Sequence, residues 1–217
     1  MHYLSFVLSR PPFSSFPEIC NLNLYPISRM KILVGFEYSG IVSRAFREKG
    51  HEVYSCDLLS RLNDIYHFQE DFFISVSRNH WDMIIAFPPC TYLAKCQIWR
   101  LNKSPERMLL MQKALDVVLM IWNLPVNKIC IENPAGLLTK LFMPCTQIIQ
   151  PYYFGNPHRK ETHLWLKGLP PLMFGAMSPG RKPMQNHVNS KMSQAIKSKI
   201  KSKFFPEVAE AMANQWT

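Results

Sequence analysis

The chain of 217 residues has the length of one domain, or of one domain with a short appendage, since single cores usually organise roughly 100–200 residues. Hydrophobic residues make up 47% and charged residues 18%, which excludes a disordered or fibrous polymer. No apolar run approaches the roughly 18 residues that a membrane-spanning helix needs, and 25 lysines and arginines against 15 acids leave a net charge of +10, the signature of a polyanionic partner.

In chain order, residues 1–29 carry only a short apolar stretch (Tyr3–Leu8) without a basic flank, and they are expected to be a poorly ordered extension rather than a signal peptide. The domain is expected to run from Met30 to the end. KILVGF (Lys31–Phe36) is a continuous apolar run of the kind that fills a parallel sheet buried on both faces. EYSG breaks it, and Ile41–Lys49 then places Ile41, Val42, Ala45 and Phe46 on one helical face before Gly50 stops the helix. HEVYSCD predicts a second strand ending at Asp57, residues 61–79 read as irregular, and DMIIAF (Asp82–Phe87) predicts a third strand running into PPC. Pro105–Trp122 has a helical apolar pattern with Ser104 as N-cap, and Met108, Leu109, Met111, Val117, Met120 and Ile121 are its expected core positions. KICIE (Lys128–Glu132) is another buried strand, ended by Asn-Pro, and the closing PEVAEAMANQW predicts a helix burying Val208, Ala209, Met212 and Trp216. Alternating strands and helices with crossover-length connections predict an α/β fold with a doubly wound, Rossmann-like sheet.

Ligands of such sheets sit beyond the carboxyl ends of the strands, which selects Glu37–Gly40, Asp57, Pro88–Cys90 and Glu132–Pro134. Asp57 follows Gly40 by 17 residues, close to the roughly 20-residue spacing at which nucleotide-binding folds set an acid on a ribose; the other reading is a solvated loop aspartate. Two prolines before Cys90 stiffen the backbone and aim a thiol from a strand end, as a nucleophile needs, whereas a structural thiol belongs inside a strand, as Cys130 does. Glu132 is a carboxylate at a parallel strand end, where burial raises its pKa and makes it a proton donor near neutrality. Together, the two groups can add sulfur to a ring while protonating that ring elsewhere. His51 and His163 read as surface or satisfied strand histidines, and the five tryptophans as packing anchors, with Trp99 alone near enough to PPC to stack on a base. The six cysteines form no CxxC pair and no zinc-type pairing with histidine, so free thiols in a reducing, cytoplasmic setting and no metal are expected.

The combination KILVGFEYSG, SCDLL, AFPPCTYL and IENP, with PPC and ENP separated by 42 residues, resembles the DNA cytosine-5 methyltransferase family, particularly the short versions carried by bacteriophages and prophages. The resemblance covers Met30 to the end, continuing through QIIQPYYFGNP, KETHLWLKGLPPL and FFPEVAEAMANQW. It implies an S-adenosylmethionine fold in which Phe36, Tyr38, Ser39 and Gly40, with Asp57, Asp71 and Pro88, hold the cofactor. It further implies Cys90 as nucleophile at cytosine carbon 6 and Glu132 as the group on ring nitrogen 3 of a base flipped out of the DNA stack. Phe87 stands where short relatives tend to have histidine, and PCTYLAKC replaces the more usual PCQ. The family's arginine-rich signature after the glutamate is not evident, leaving Arg159, Lys160 or the later lysines in its place.

Between Thr162 and Pro206 lie eight basic residues (Lys167, Arg181, Lys182, Lys191, Lys197, Lys199, Lys201 and Lys203) and no acid. A basic DNA-facing segment over about 155–205, with Arg159, Lys160, Lys197, Lys199, Lys201 and Lys203 as phosphate contacts, and a monomeric enzyme on DNA follow as expectations. A solvated loop, RNA as the substrate, and a binding protein that keeps the fold without turnover stay open as alternatives.

Overall fold

The computed structural model describes residues 28–61, 63–101, 104–175, 184–185 and 204–217. The elements are β1 (Lys31–Gly35), α1 (Ile41–Glu48), β2 (Glu52–Asp57), β3 (His67–Gln69), α2 (Phe72–Ser77), β4 (Met83–Ala86), α3 (Ile98–Leu101), α4 (Pro105–Trp122), β5 (Lys128–Pro134), α5 (Leu138–Leu141), β6 (Gln147–Ile149), β7 (His158–Arg159), β8 (Thr162–Lys167), β9 (Met184–Gln185) and α6 (Pro206–Gln215). Seven strands form one mixed sheet in the order β3-β2-β1-β4-β5-β8-β6, and β7 pairs with β9 in a separate ribbon.

β1 lies between β2 and β4 in parallel register, with Val34 opposite both Ser55 and Ile85. Its side chains alternate between two cores, which explains the continuous apolar run. Ile32 and Val34 pack with Met83, Ile85 and Cys130 under α1 and α6. Leu33, Ile84, Ile129 and Ile131 pack with Met111, Leu115, Val118 and Ile121 of α4 on the opposite face. With helices on both faces, the sheet is compatible with a Rossmann-like arrangement. The terminal helix is as expected: Val208, Ala209, Met212 and Trp216 are all buried, and α6 packs against α1.

Several sequence expectations are corrected. The doubly wound sheet expected from the sequence is mixed: it is parallel from β3 to β5, and β8 beyond it runs antiparallel to both β5 and β6. The β8 sequence THLWLK opens the segment read as basic and DNA-facing, yet its first five residues are buried. Lys167 turns away from the strand carboxyl ends, and its Nζ donates to the Trp122 and Leu124 carbonyls at 3.0 Å, closing the C-terminus of α4. It is therefore no phosphate contact.

The supposedly irregular 61–79 holds β3 and α2. In α4, Met108, Leu109 and Met120 are exposed, because the helix is apolar on most sides and only Met111, Leu115, Val118 and Ile121 face the sheet. β5 also continues through Asn133 and Pro134, since β8 supplies paired partners as far as Thr162 opposite Pro134.

The buried indoles of Trp81, Trp165 and Trp216 each donate to a backbone carbonyl (Val76, Met143 and Pro170), which removes the penalty of burying an unpaired N–H. Among the described residues, no helix is long and apolar enough to cross a membrane, and no three His, Cys, Asp or Glu side chains gather as a metal site. Residues 1–27 of the expected extension, and Arg181, Lys182, Lys191, Lys197, Lys199, Lys201 and Lys203, lie outside the described residues.

Candidate active site

Cys90 and Glu132 meet because two loops at the carboxyl ends of adjacent parallel strands are stitched together. β4 pairs with β5 as far as Ala86 opposite Ile131, so Pro88–Cys90 leaves the sheet beside Glu132 and Asn133. The Asn133 side chain donates from Nδ2 to the Pro88 carbonyl at 3.0 Å. Further out, Lys95 N donates to Ala135 O and Leu137 N to Leu93 O, each at 2.8 Å. Gly136 sits so close to the Leu93 carbonyl that a Cβ there would overlap it, so only glycine permits this approach. The Cys90 carbonyl accepts from Leu93 N and Ala94 N, folding the segment after the thiol into a tight turn.

The site is electrically asymmetric. Burial pushes the Cys90 thiol above its ordinary value, the Glu132 carboxylate pushes it further, and the Lys160 ammonium opposes both. Burial likewise raises Glu132, against the pull of Lys160 and His163. Glu132 lies opposite Leu164 on β8, and Asn133 lies opposite His163. Because β8 is antiparallel, its N-terminal approach, Lys160 included, is delivered to the end of β5 where Glu132 stands.

Lys160 is anchored there by its own amide, which donates to Gln150 Oε1 at 3.0 Å, and its Nζ lies 5.8 Å from the centre of the Phe205 ring. A wall of aromatic side chains flanks this region, with Phe87 against Phe204 at 5.0 Å between ring centres. Arg159 is exposed on β7. Cys96 is exposed, and Trp99 is 59% exposed, with its indole N–H on the Cys96 carbonyl and the Arg100 guanidinium 4.9 Å from its ring centre.

The opposite side of the rim is built around Glu37. β1 ends at Gly35, Phe36 takes a left-handed φ of 59°, and its ring stacks on Phe72 at 4.9 Å. Glu37 then turns beneath the start of α1. Its Oε1 accepts from Val42 N at 2.6 Å and its Oε2 from Ser43 N at 3.2 Å, while Ile41 N points to Ser39 Oγ at 3.4 Å. Burial outweighs these hydrogen bonds and the nearby Arg61 charge, and it lifts the Glu37 carboxyl to about 7.

Gly40, at φ 68°, faces the Arg61 guanidinium so closely that any side chain would collide with it. Arg61 is held by Asp64 Oδ2 at 2.8 Å and by Ser55 Oγ at 3.2 Å. Ser55 Oγ also lies 2.9 Å from His67 Nδ1. Asp57 is half-buried at the end of β2, with Oδ1 accepting from Leu59 N. Asp71, on the same rim, is exposed and caps α2 through the Phe73 amide. Tyr38 and Ser39 are partly exposed, and Pro88 is buried.

Cys90 and Glu132 are thus brought together, and the Phe36–Gly40 loop, Asp57 and Asp71 line the neighbouring strand ends. Sequence reasoning placed Glu37 and Asn133 in ligand-facing strand-end segments without a role of their own, and it singled out neither Arg61 nor the Phe204–Phe205 wall. Glu37 was within reach, since an acid five residues before the first-turn amides of a helix is a capping candidate. Asn133 had no local signal, because its partner is 45 residues away. No protein-family model matches the chain, and no curated protein matches it significantly.

Proposed function

We propose that the protein is an S-adenosylmethionine-dependent cytosine-5 methyltransferase acting on DNA. One observation carries the proposal: a thiol on a Pro-Pro-Cys turn is locked by the Asn133–Pro88 hydrogen bond beside a buried carboxyl on the next strand, with an ammonium that acts on both. The resemblance in KILVGFEYSG, AFPPCTYL and IENP supports the same reading. The residues that would hold the cofactor are Phe36, Tyr38, Ser39, Gly40, Asp57, Asp71 and Pro88. They fit a nucleoside with an amino-acid tail in kind: aromatic faces, a half-exposed carboxylate and a glycine turn stand along one rim. When bound, S-adenosylmethionine supplies an electrophilic methyl group.

The chain's own residues do the rest. The Cys90 thiolate donates an electron pair to carbon 6 of cytosine, and Glu132, whose burial shifts it toward the protonated form, donates a hydrogen bond or proton to ring nitrogen 3 and takes up the displaced charge. Carbon 5 becomes enamine-like and able to accept a methyl group. Loss of its proton to a base then expels Cys90 as thiolate and restores the ring. Lys160 keeps the thiolate accessible in a site that otherwise disfavours it. A base inside a duplex cannot reach this turn, so it must leave the stack, at a cost of a few kcal/mol. The chain's net charge of +10 supports a polyphosphate partner that offsets this cost through backbone contacts.

The test uses DNA containing 5-fluorocytosine, whose carbon 5 cannot release its substituent, together with labelled S-adenosylmethionine. A denaturation-resistant protein–DNA adduct is expected with the natural chain and none with Cys90→Ala. Glu132→Gln should lower adduct formation by about a thousandfold while leaving cofactor binding intact. Absence of adduct and of label transfer with both DNA and RNA substrates defeats the proposal.

A further inference from the structure

At the N-terminus of a helix that follows the first strand, Rossmann-type nucleotide binders expose backbone amides that hold a pyrophosphate. Here those amides are already taken. Val42 N and Ser43 N donate to the two Glu37 oxygens, Ile41 N points to Ser39 Oγ, and Arg44 N donates to the Gly40 carbonyl. Glu37 is 3% exposed, so its carboxyl group is a fixed part of the interior and no mobile surface cap. The Arg61 guanidinium against Gly40 adds a positive charge on the same side, held by Ser55 and Asp64. The first free amides of α1 are therefore occupied by the protein's own carboxyl group, with a guanidinium nearby.

We infer that Glu37 is a specificity-determining residue that closes the α1 amide pocket to phosphate, so that the cleft at the ends of β1 and β2 accepts a nucleoside ligand and refuses nucleoside diphosphates and dinucleotides. The inference rests on the reading of this rim as a nucleoside site, and it names the class of ligand that the rim rejects. Two effects act together. A phosphate entering the pocket must displace a buried carboxyl group from two amides, and it meets like charge whenever Glu37 is ionised. Once Glu37 is removed, the same amides and Arg61 converge on an empty, positively polarised pocket.

The experiment measures binding of adenosine, ADP and inorganic pyrophosphate to the full chain at pH 8.5, where Glu37 is ionised. The natural chain is expected to bind adenosine about tenfold or more tightly than ADP. Glu37→Ala should tighten ADP and pyrophosphate by about tenfold, with adenosine changed by less than about threefold. Glu37→Gln keeps the acceptor for Val42 N and removes the charge; it should move both phosphate ligands in the same direction by a smaller factor, and it decides the matter if thermal melting shows Glu37→Ala unfolded. Equal or tighter ADP binding by the natural chain, or no gain by the folded variant, overturns the inference. Pyrophosphate separates the two failures: a gain by the variant without adenosine binding to any form upholds the role of Glu37 and defeats the nucleoside reading of the rim.

Discussion

Two buried glutamates stand on the same rim of the sheet, and they are built in opposite ways. Glu37 spends both oxygens on backbone amides of α1, so it shapes a loop and is withdrawn from solvent chemistry. Glu132 is balanced instead by the charges of Lys160 and His163, on the chain segment delivered by β8. Burial raises both carboxyls. Only the second lies beside a thiol on a rigid turn. A raised carboxyl pKa at a strand end therefore does not by itself mark a catalytic acid; the identity of its partners does. Backbone partners make the group structural, and side-chain partners leave it adjustable.

The first way to break this contrast is to titrate Glu37. In the folded chain it keeps its proton to about 7, whereas an unfolded glutamate releases it near 4.5. Between those values the unfolded chain binds fewer protons, so stability falls as pH rises; the contribution is fully present below 4.5 and lost by the time pH has passed through 7. The shift corresponds to at most about 3 kcal/mol. Glu37→Gln carries no such proton, so the stability difference between variant and natural chain in urea unfolding should move in favour of the variant from pH 5 to pH 8. Parallel pH profiles would show that Glu37 is a solvated carboxylate and that the contrast with Glu132 is mistaken.

The second concerns the stitch between the loops that carry Cys90 and Glu132. Asn133→Ala removes the hydrogen bond to the Pro88 carbonyl and frees the Pro-Pro-Cys turn from β5. Because misplacing a reacting group by about 1 Å can lower a rate by up to a hundredfold, methyl transfer should fall by about ten- to a hundredfold with cofactor affinity preserved. Equal loss of rate and cofactor affinity would place Asn133 in general folding rather than in positioning the thiol.

Much of this arrangement is legible in the chain. The strands at 31–35 and 83–86 announce themselves by continuous apolar runs, those at 52–57 and 128–134 by β-rich segments ending at an acid or at Asn-Pro, and Ser104 caps α4 as its chemistry predicts, accepting from Arg107 N at 3.2 Å. What escapes is direction and partnership. An apolar run such as THLWL looks the same whether its neighbour runs parallel or antiparallel, so the reversal at β8 is invisible, and with it the route that brings Lys160 to Glu132. Met108, Leu109 and Met120 misled because a helix that is apolar on most sides does not say which side meets the sheet. Cys90 and Glu132 are readable as strand-end residues; Asn133, Gly136 and Arg61 acquire meaning only from partners distant in sequence or on neighbouring loops.

The smallest effect isolates Lys160 from the rest of the site. Its ammonium lowers the Cys90 thiol against burial and the Glu132 charge, both of which raise it. Lys160→Met removes the only one of these three influences that favours thiolate, so the pH at which half of Cys90 is ionised must rise. Alkylation by iodoacetamide reads that fraction directly, since thiolate is the reacting form, and needs neither DNA nor cofactor. The profile should move toward higher pH, and Lys160→Arg should restore most of the shift. Cys96 is exposed and would also react, so the measurement is made on a Cys96→Ser background. An unchanged profile in Lys160→Met would return this lysine to the phosphate-contacting role that its charge alone suggests, and would leave Glu132 held by His163.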